Sequence, residues 1–392
     1  MDRVTVALVH NYYQHPGGED VVFHAEADLL ERCGHRVLRY TLDNAAIART
    51  PRVALARATV WNGDAYRDLR RLLAGSGVDV VHFHNTFPLV SPAAYYAARA
   101  EGAAVVQTLH NFRLLCANAN LFRDGHPCEQ CVGRTVAWPG VVHGCYRGSR
   151  AASAVTGAML AAHRAAGTWS RAVDLYIALS EFARGKFLTH GLPADRVLVK
   201  PNFVAADPGA GRHDGRFALY AGRLTTEKGV ETLLAAWARL GPGYALRVAG
   251  DGPLAARAAA TAGVEWLGQQ SKAEVIAAMQ AATVLVFPSE WYEPFGLTLV
   301  EALATGLPVI ASARGAAPEI IEDGVSGRIV PPGDPDALAA AVAWAFENPG
   351  ALATMGAHAR GAYAARYGAA RGYEDLMAVY RVATARAAAQ RS

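Results

Sequence analysis

Seven residues separate Glu293 from Glu301 in the stretch Pro288-Ser289-Glu290-Trp291-Tyr292-Glu293-Pro294-Phe295-Gly296-Leu297 and the helical pattern after it. Gly296 falls where that helix should begin, and a helix N-terminus presents unpaired backbone N–H groups and a positive dipole end to an anion. At a rise of about 1.5 Å per residue, Glu301 lies roughly 7.5 Å along the helix from Gly296. One carboxylate before a phosphate site and one beyond it can grip the two ends of a nucleoside diphosphate sugar. Glu301 would accept from ribose hydroxyls, as acidic residues do in dinucleotide folds, and Glu293 from hydroxyls of the sugar. Taken singly, each glutamate reads more readily as a solvated surface charge. Upstream, Tyr220-Ala221-Gly222-Arg223-Leu224-Thr225-Thr226-Glu227-Lys228-Gly229 sets two cations five apart, a spacing that suits a diphosphate and the charge on a departing nucleotide. Lys228 is one of four lysines in the chain, and the pattern puts it in a first helical turn, against the macrodipole. Gly250-Asp251-Gly252-Pro253 reads as a tight turn that would let a base or ribose approach the backbone, although such a turn is also an ordinary connection.

In the first half, His10-Asn11-Tyr12-Tyr13-Gln14-His15-Pro16-Gly17-Gly18-Glu19-Asp20 follows an apolar run and is not the dinucleotide Gly-x-Gly-x-x-Gly turn. Gly17 and Gly18 would still let a ligand touch the backbone. Glu19 and Asp20 read either as contacts to acceptor hydroxyls or, slightly better, as plain acids in a first helical turn. Gln107-Thr108-Leu109-His110-Asn111 ends another apolar run and aims His110 at the carboxyl edge of a sheet; His82 and His84, with Asn85, make a weaker case on a neighbouring strand. Cys116, Cys128, Cys131 and Cys145 form a C-x11-C-x2-C-x13-C set in a long loop over 114–149, a pattern that suits structural zinc or four reduced thiols. Cys33 reads as a buried helix residue.

The elements that must hold these groups alternate. Strands are expected at Val4–His10, Val37–Tyr40, Val80–His84, Ala104–Thr108, Leu175–Ala178, Val197–Val199, Ala218–Ala221, Ala245–Ala249, Val264–Leu267, Val284–Phe287, Pro308–Ala311 and Gly327–Val330. Helical patterns at Val21–Cys33, Pro92–Ala100, Ser180–His190, Val230–Arg239, Lys272–Gln280, Leu297–Thr305 and Pro335–Phe346 lie between them. Such alternation means βαβ units and parallel sheets covered on both faces. The run Pro201 to Arg216 is rich in Gly, Pro and Asp and breaks the pattern. The expected organisation is 1–203 as an N-terminal Rossmann-like domain, 204–216 as linker, 217–372 as a second Rossmann-like domain, and 373–392 as a helix packing back across both. The two doubly wound, parallel-sheet halves would face one another across a central cleft.

With 392 residues, 52% of them hydrophobic, the chain is long enough for two cores and too apolar for a disordered tail. A net charge of +4 without a run of five or six like charges argues against nucleic acid as partner. Met1-Asp2-Arg3 followed by Val4 to Val9 lacks the signal-peptide pattern, and the longest stretch without charge or breaker, Val275 to Phe287, falls short of the roughly 20 residues a bilayer needs. A cytoplasmic protein without a transmembrane segment is expected, with peripheral membrane contact left open.

Taken together, Arg223…Lys228, Gly250-Asp251-Gly252-Pro253 and Glu293-Pro294-Phe295-Gly296…Glu301 resemble the retaining glycosyltransferases of family 4, which have the GT-B fold. The likeness covers nearly the whole chain and is sharpest over 217–335. It implies that Arg223 and Lys228 hold the donor diphosphate, that Glu301 binds ribose, and that Glu293 lies beside the donor sugar. It further implies backbone contacts at Phe295, Gly296 and Leu297, a donor-phosphate border at Gly17 and Gly18, and a place for His110 near the transferred sugar. With Gly222, Gly250 and Gly252 these make up the expected donor site, and Arg223, Lys228, Glu293 and His110 the catalytic set. The activity so implied is transfer of a hexosyl group, with retention, from a nucleotide sugar to a saccharide or small-molecule hydroxyl; a UDP sugar is favoured and GDP-mannose comes next. Without an obvious carboxylate nucleophile, front-face attack assisted by the leaving phosphate is the expected route, and no metal is demanded for it. The alternatives are an inactive nucleotide-sugar sensor or partner subunit, and a sugar-nucleotide epimerase on the same fold.

Overall fold

The computed structural model describes residues 3–14 and 17–391, so His15 and Pro16 of the glycine-bearing turn lie outside the described residues. The chain divides into two compact units. The first takes in residues up to Leu121, Glu129–Pro201 and Gly372–Ser392; the second is Phe122–Cys128 with Asn202–Arg371.

In the first unit six parallel strands form one sheet: β1 (Thr5–Tyr12), β2 (Arg36–Asp43), β3 (Val80–Phe83), β4 (Ala104–Leu109), then, after a two-stranded hairpin of β5 (Phe122–Arg123) and β6 (His126–Pro127) that belongs to the second unit, β7 (Leu175–Ala178) and β8 (Val197–Val199). The order β2-β1-β3-β4-β7-β8 reverses direction between β1 and β3. The apolar runs explain the arrangement: Val6–Val9, Val80–Phe83 and Val105–Val106 are wholly buried because helices cover both sheet faces. Only β2, at the edge, alternates between exposed and half-buried residues. Glu26 sits on the helix Gly18–Arg32, whose first turn is pinned by Asp20 accepting from the Gly17 N–H at 2.7 Å. The C-terminal helix Ala369–Ala389 closes this unit from Gly372 onward, with Leu376, Val379, Tyr380 and Ala383 buried. Arg386 of that helix pairs with Asp195.

In the second unit β9 (Phe217–Ala221), β10 (Ala245–Ala249), β11 (Val264–Gly268), β12 (Val284–Phe287), β13 (Val309–Ser312) and β14 (Gly327–Val330) form another parallel sheet in the order β11-β10-β9-β12-β13-β14. Its core packs Leu233, Leu234 and Trp237 of the helix Val230–Leu240 against Leu246, Val248, Val284 and Val286. The chain turns from building one side of this sheet to the other between β9 and β12. Beyond the strand ends at such a reversal is where open α/β sheets bind ligands.

All twelve sheet strands coincide with expected segments, eleven of them to within two residues, while β2 runs three residues past its expected end at Tyr40. The stretch 204–216, expected as a bare linker, belongs to the second unit and is bonded into it: Val204 donates to the Tyr367 carbonyl and His213 to that of Gln280. Helices at Arg52–Val60, Gly63–Leu73, Arg150–Ala165 and Pro349–Arg366 add to those expected. Cys33 caps the helix Gly18–Arg32 and is exposed, not buried.

Candidate functional site

In the second unit, the loops after β9, β10 and β12 gather most of the expected residues at one sheet edge. Gly222 and Gly250 are stacked backbone on backbone: Gly222 donates to the Ala249 carbonyl at 3.0 Å, Leu224 to that of Asp251 at 2.9 Å. Gly250 has φ of +141°, and a Cβ there would meet the Gly222 carbonyl oxygen at 1.9 Å. Only glycine fits, so the two loops can close on one another. Gly252 donates to Asp251 Oδ1 at 2.7 Å within the same turn.

Lys228 does not lie in a helical first turn as expected. It ends a short 3-10 turn over Thr226–Lys228, Gly229 intervenes in the left-handed conformation, and the helix starts at Val230. Freed from the helix, its ammonium reaches across to β12's loop: Nζ donates to Glu293 Oε2 at 2.6 Å and stands 4.9 Å from the centre of the Trp291 ring. Trp291 Nε1 donates to the same oxygen at 2.9 Å. Both donors converge on Oε2 of a buried carboxylate, which orients Glu293 and leaves Oε1 to accept from a ligand. The Glu227 carbonyl accepts from the N–H groups of Glu290 and Trp291, tying the two loops together. Arg223 behaves differently. Its guanidinium is 67% exposed and only 3.8 Å from Glu227, a contact that leaves its donors available to an anion.

Phe295 is buried, Gly296 is the left-handed residue at the helix start, and Leu297 opens the helix Leu297–Thr305. Glu301 on that helix is buried and ion-paired with Lys272, which starts the helix Lys272–Ala281. Burial lifts its carboxyl above the ordinary range, and the Lys272 ammonium pulls the other way. Trp291, Lys272 and Gly315 are the members of this site that the sequence reading passed over. A Cβ at Gly315, φ +62°, would strike the Glu293 backbone nitrogen at 2.4 Å, and Glu293 O accepts from the Ala316 N–H at 2.9 Å. Nothing local in the sequence ties residue 315 to residue 293.

In the first unit, His110 stands one residue beyond β4 and His84 one beyond β3, with His84 Nδ1 and His110 Nε2 3.0 Å apart. Glu19 and Asp20 are not plain solvated acids. Asp20 Oδ1 bonds the buried His10 Nε2 at 2.6 Å. Glu19 accepts from the Tyr13 hydroxyl at 2.8 Å and Asn111 Nδ2 at 3.4 Å, and burial raises its carboxyl to about 8. Gly17 and Gly18 are exposed at the start of the same helix.

Among the described residues, the one group of three or more donors within 4.8 Å of one another is Glu26, His82 and His84; Cys116, Cys128, Cys131 and Cys145 form no such group. Cys116 Sγ lies 2.9 Å from Asn118 Oδ1. The loop over 114–149 carries the short helix Trp138–Val142, and Arg164 reaches the carbonyls of Arg134 and Thr135 within it. Glu26, His82 and His84 fit a charge network better than a metal site. Lys200 Nζ already balances Glu26 at 2.7 Å, and both His82 nitrogens are engaged, by Tyr380 at 2.9 Å and Thr108 at 2.7 Å.

Comparison with known proteins places this geometry. The family model described as Glycosyltransferase Family 4 matches residues 16–207, and the model described as Glycosyl transferases group 1 matches 207–362. The chain is 32% identical over 186 residues to the D-rhamnosyltransferase WbpZ of Pseudomonas aeruginosa, covering 45% of this chain and 48% of that one. It is 28% identical over 341 residues to the D-inositol 3-phosphate glycosyltransferase 1 of Catenulispora acidiphila, covering 80% and 74%. Among solved structures, Anabaena HepE in complex with UDP superposes with a TM-score of 0.66 at 18% identity, covering 95% of this chain and 98% of that one. The chain belongs to the family 4 glycosyltransferases, and its two doubly wound units are those of the GT-B fold. It spans about half the length of WbpZ and a third of the Mycobacterium tuberculosis glycogen synthase it also matches. Among the described residues, no helix is long and apolar enough to cross a membrane.

Proposed function

We propose that this protein transfers a hexosyl group from a nucleoside diphosphate sugar, a UDP sugar first among candidates, to a hydroxyl of a saccharide or small-molecule acceptor, with retention at the anomeric carbon. The observation that carries the reading is the convergence of Lys228 and Trp291 on one oxygen of Glu293, beside the exposed Arg223 and the helix that starts after Gly296. In this reading the second unit binds donor and the first binds acceptor. Arg223 and Lys228 stabilise the negative charge that grows on the diphosphate as its bond to the anomeric carbon breaks. The N-terminus of the helix Leu297–Thr305 takes a phosphate, and Glu301 accepts from the ribose hydroxyls. Glu293, held through Oε2, accepts a sugar hydroxyl through Oε1 and is thereby an orienting group, not a nucleophile. The acceptor oxygen attacks on the face the diphosphate leaves, and its proton passes to a leaving phosphate oxygen. The chain's own work is then positioning and charge stabilisation.

Thermal stabilisation by UDP, GDP, ADP and dTDP tests this reading, in the protein and in Glu301→Ala. HepE was captured with UDP, which makes UDP the first to try. One nucleotide raising the melting temperature of the wild type and not of Glu301→Ala supports it. No shift with any of the four overturns it.

A further inference from the structure

The first unit holds a buried charged chain that the donor-site chemistry does not use. Lys200, just past β8, donates to Glu26 Oε1 at 2.7 Å, and both side chains are almost wholly buried. The other carboxylate oxygen, Oε2, lies 3.4 Å from His84 Nε2 and 3.5 Å from His82 Nδ1. Neither Glu26 Oε2 nor His84 Nε2 meets full hydrogen-bond geometry with any partner among the described residues, and neither touches solvent. At its far side His84 Nδ1 meets His110 Nε2 at 3.0 Å. Burial alone would lift the Glu26 carboxyl, but the Lys200 ammonium and the neighbouring histidines hold it well below the usual range. Burial likewise holds His110 well below an ordinary imidazole, so it is neutral.

The proton positions follow from what each atom can tolerate. A lone pair on His84 Nε2 would face an ionised carboxylate in a dry interior, so that nitrogen carries a proton. Lys200 already balances Glu26, and a doubly protonated His84 would be an uncompensated buried cation. His84 Nδ1 is therefore a lone pair. It can only accept, and what it accepts is the Nε2–H of His110.

We propose that Glu26 and His84 are positioning residues that fix His110 as its Nε2–H tautomer, so that His110 Nδ1 is the nitrogen left to accept a hydrogen bond from a hydroxyl of the transferred sugar. The sugar contact rests on the function proposed above; the tautomer does not. A carboxylate thus acts on His110 through an intervening ring, and a wrong tautomer would turn an acceptor towards the wrong partner.

Histidine-selective 15N labelling and two-bond 1H–15N correlation spectra report the tautomer of each ring directly, with His84→Asn and His110→Asn used for assignment. His84 and His110 both protonated at Nε2 supports the proposal. A His110 protonated at Nδ1, or a cationic His84, overturns it, and this reading needs no active enzyme. Glu26→Gln supplies the second arm. Where it folds, His110 should lose its single tautomer and kcat should fall about 10- to 100-fold with the donor KM little changed, and Glu26→Asp should recover part of the loss. An unchanged His110 spectrum in Glu26→Gln also overturns the proposal. A correct tautomer in a protein that binds no nucleotide sinks the transferase reading alone.

Discussion

Lys228 and Arg223 are both cations of the expected donor site, yet the structure gives them different neighbours and hence different test signatures. Arg223 is mostly exposed and loosely held, so Arg223→Ala should leave the melting temperature unchanged while lowering turnover by about 100-fold, the cost of one preorganised donor to a developing charge. Lys228→Ala should lower turnover at least as far and also destabilise the fold, because Glu293 would keep only Trp291 as its partner in a buried setting. Steady-state kinetics beside a thermal melt separates the two; near-wild-type turnover in either variant would contradict the assignment. Glu19 makes a different prediction. Its carboxyl titrates at about 8 in the fold, against an ordinary value near 4.5, so the folded protein binds the proton more tightly than the unfolded chain. Stability contributed by that proton is fully present below about 4.5 and is lost as pH rises through about 8. Between pH 6 and 9 the wild type should therefore lose more melting temperature than Glu19→Gln, which carries no such proton.

At the scale of elements, the fold was legible where one local signal decided the matter and hidden where a distant partner did. Buried parallel strands are continuous apolar runs, so Val284–Phe287 and Leu175–Ala178 could be bounded to the residue. The helix Gly63–Leu73 carried a readable signal that was passed over: Asn62 caps it, and Ala65, Leu69 and Leu73 repeat every four residues. Expecting Lys228 in a helix's first turn failed because Gly229 adopts φ of +72° and stops the preceding turn before the helix begins at Val230. The spacing of Glu293 and Glu301 was visible, but their ammonium partners lie 65 and 29 positions away, and no periodicity reports such pairs. The metal reading of the four cysteines followed spacing alone, and among the described residues they form no group of three or more donors within 4.8 Å of one another. The loop-on-loop contact of Gly222 and Gly250 is testable. Gly250→Ala should destabilise the protein by about 2–3 kcal/mol, combining a disfavoured φ with a backbone clash, and so lower the melting temperature by roughly 5–10 °C. Gly243→Ala, where a Cβ would meet nothing within 4 Å, serves as control and should leave it unchanged.

At the scale of the whole molecule, the first unit is assembled from three stretches of chain, the last of them Gly372–Ser392. Removing 372–392 takes away Leu376, Val379 and Tyr380 from its core and leaves His82 Nδ1 without the Tyr380 hydroxyl at 2.9 Å. Hydrogen-exchange protection in β1, β3 and β4 should collapse in the truncated protein while β9, β10 and β12 keep theirs. Equal loss in both sheets would show that the terminal helix supports more than the first unit.

That arrangement also constrains the order of events at the ribosome. Residues 202–371 form a contiguous segment that can fold once it has cleared the exit tunnel, apart from the small hairpin at 122–128. The first unit, though translated earlier, lacks its closing helix until residue 389 has emerged. The nascent chain therefore carries an unfinished first sheet, with the apolar side of its covering layer open, throughout the synthesis of the second. For that interval the open sheet is exposed to aggregation, and a stalled message ending before residue 372 would release a protein whose second half is complete and whose first is not.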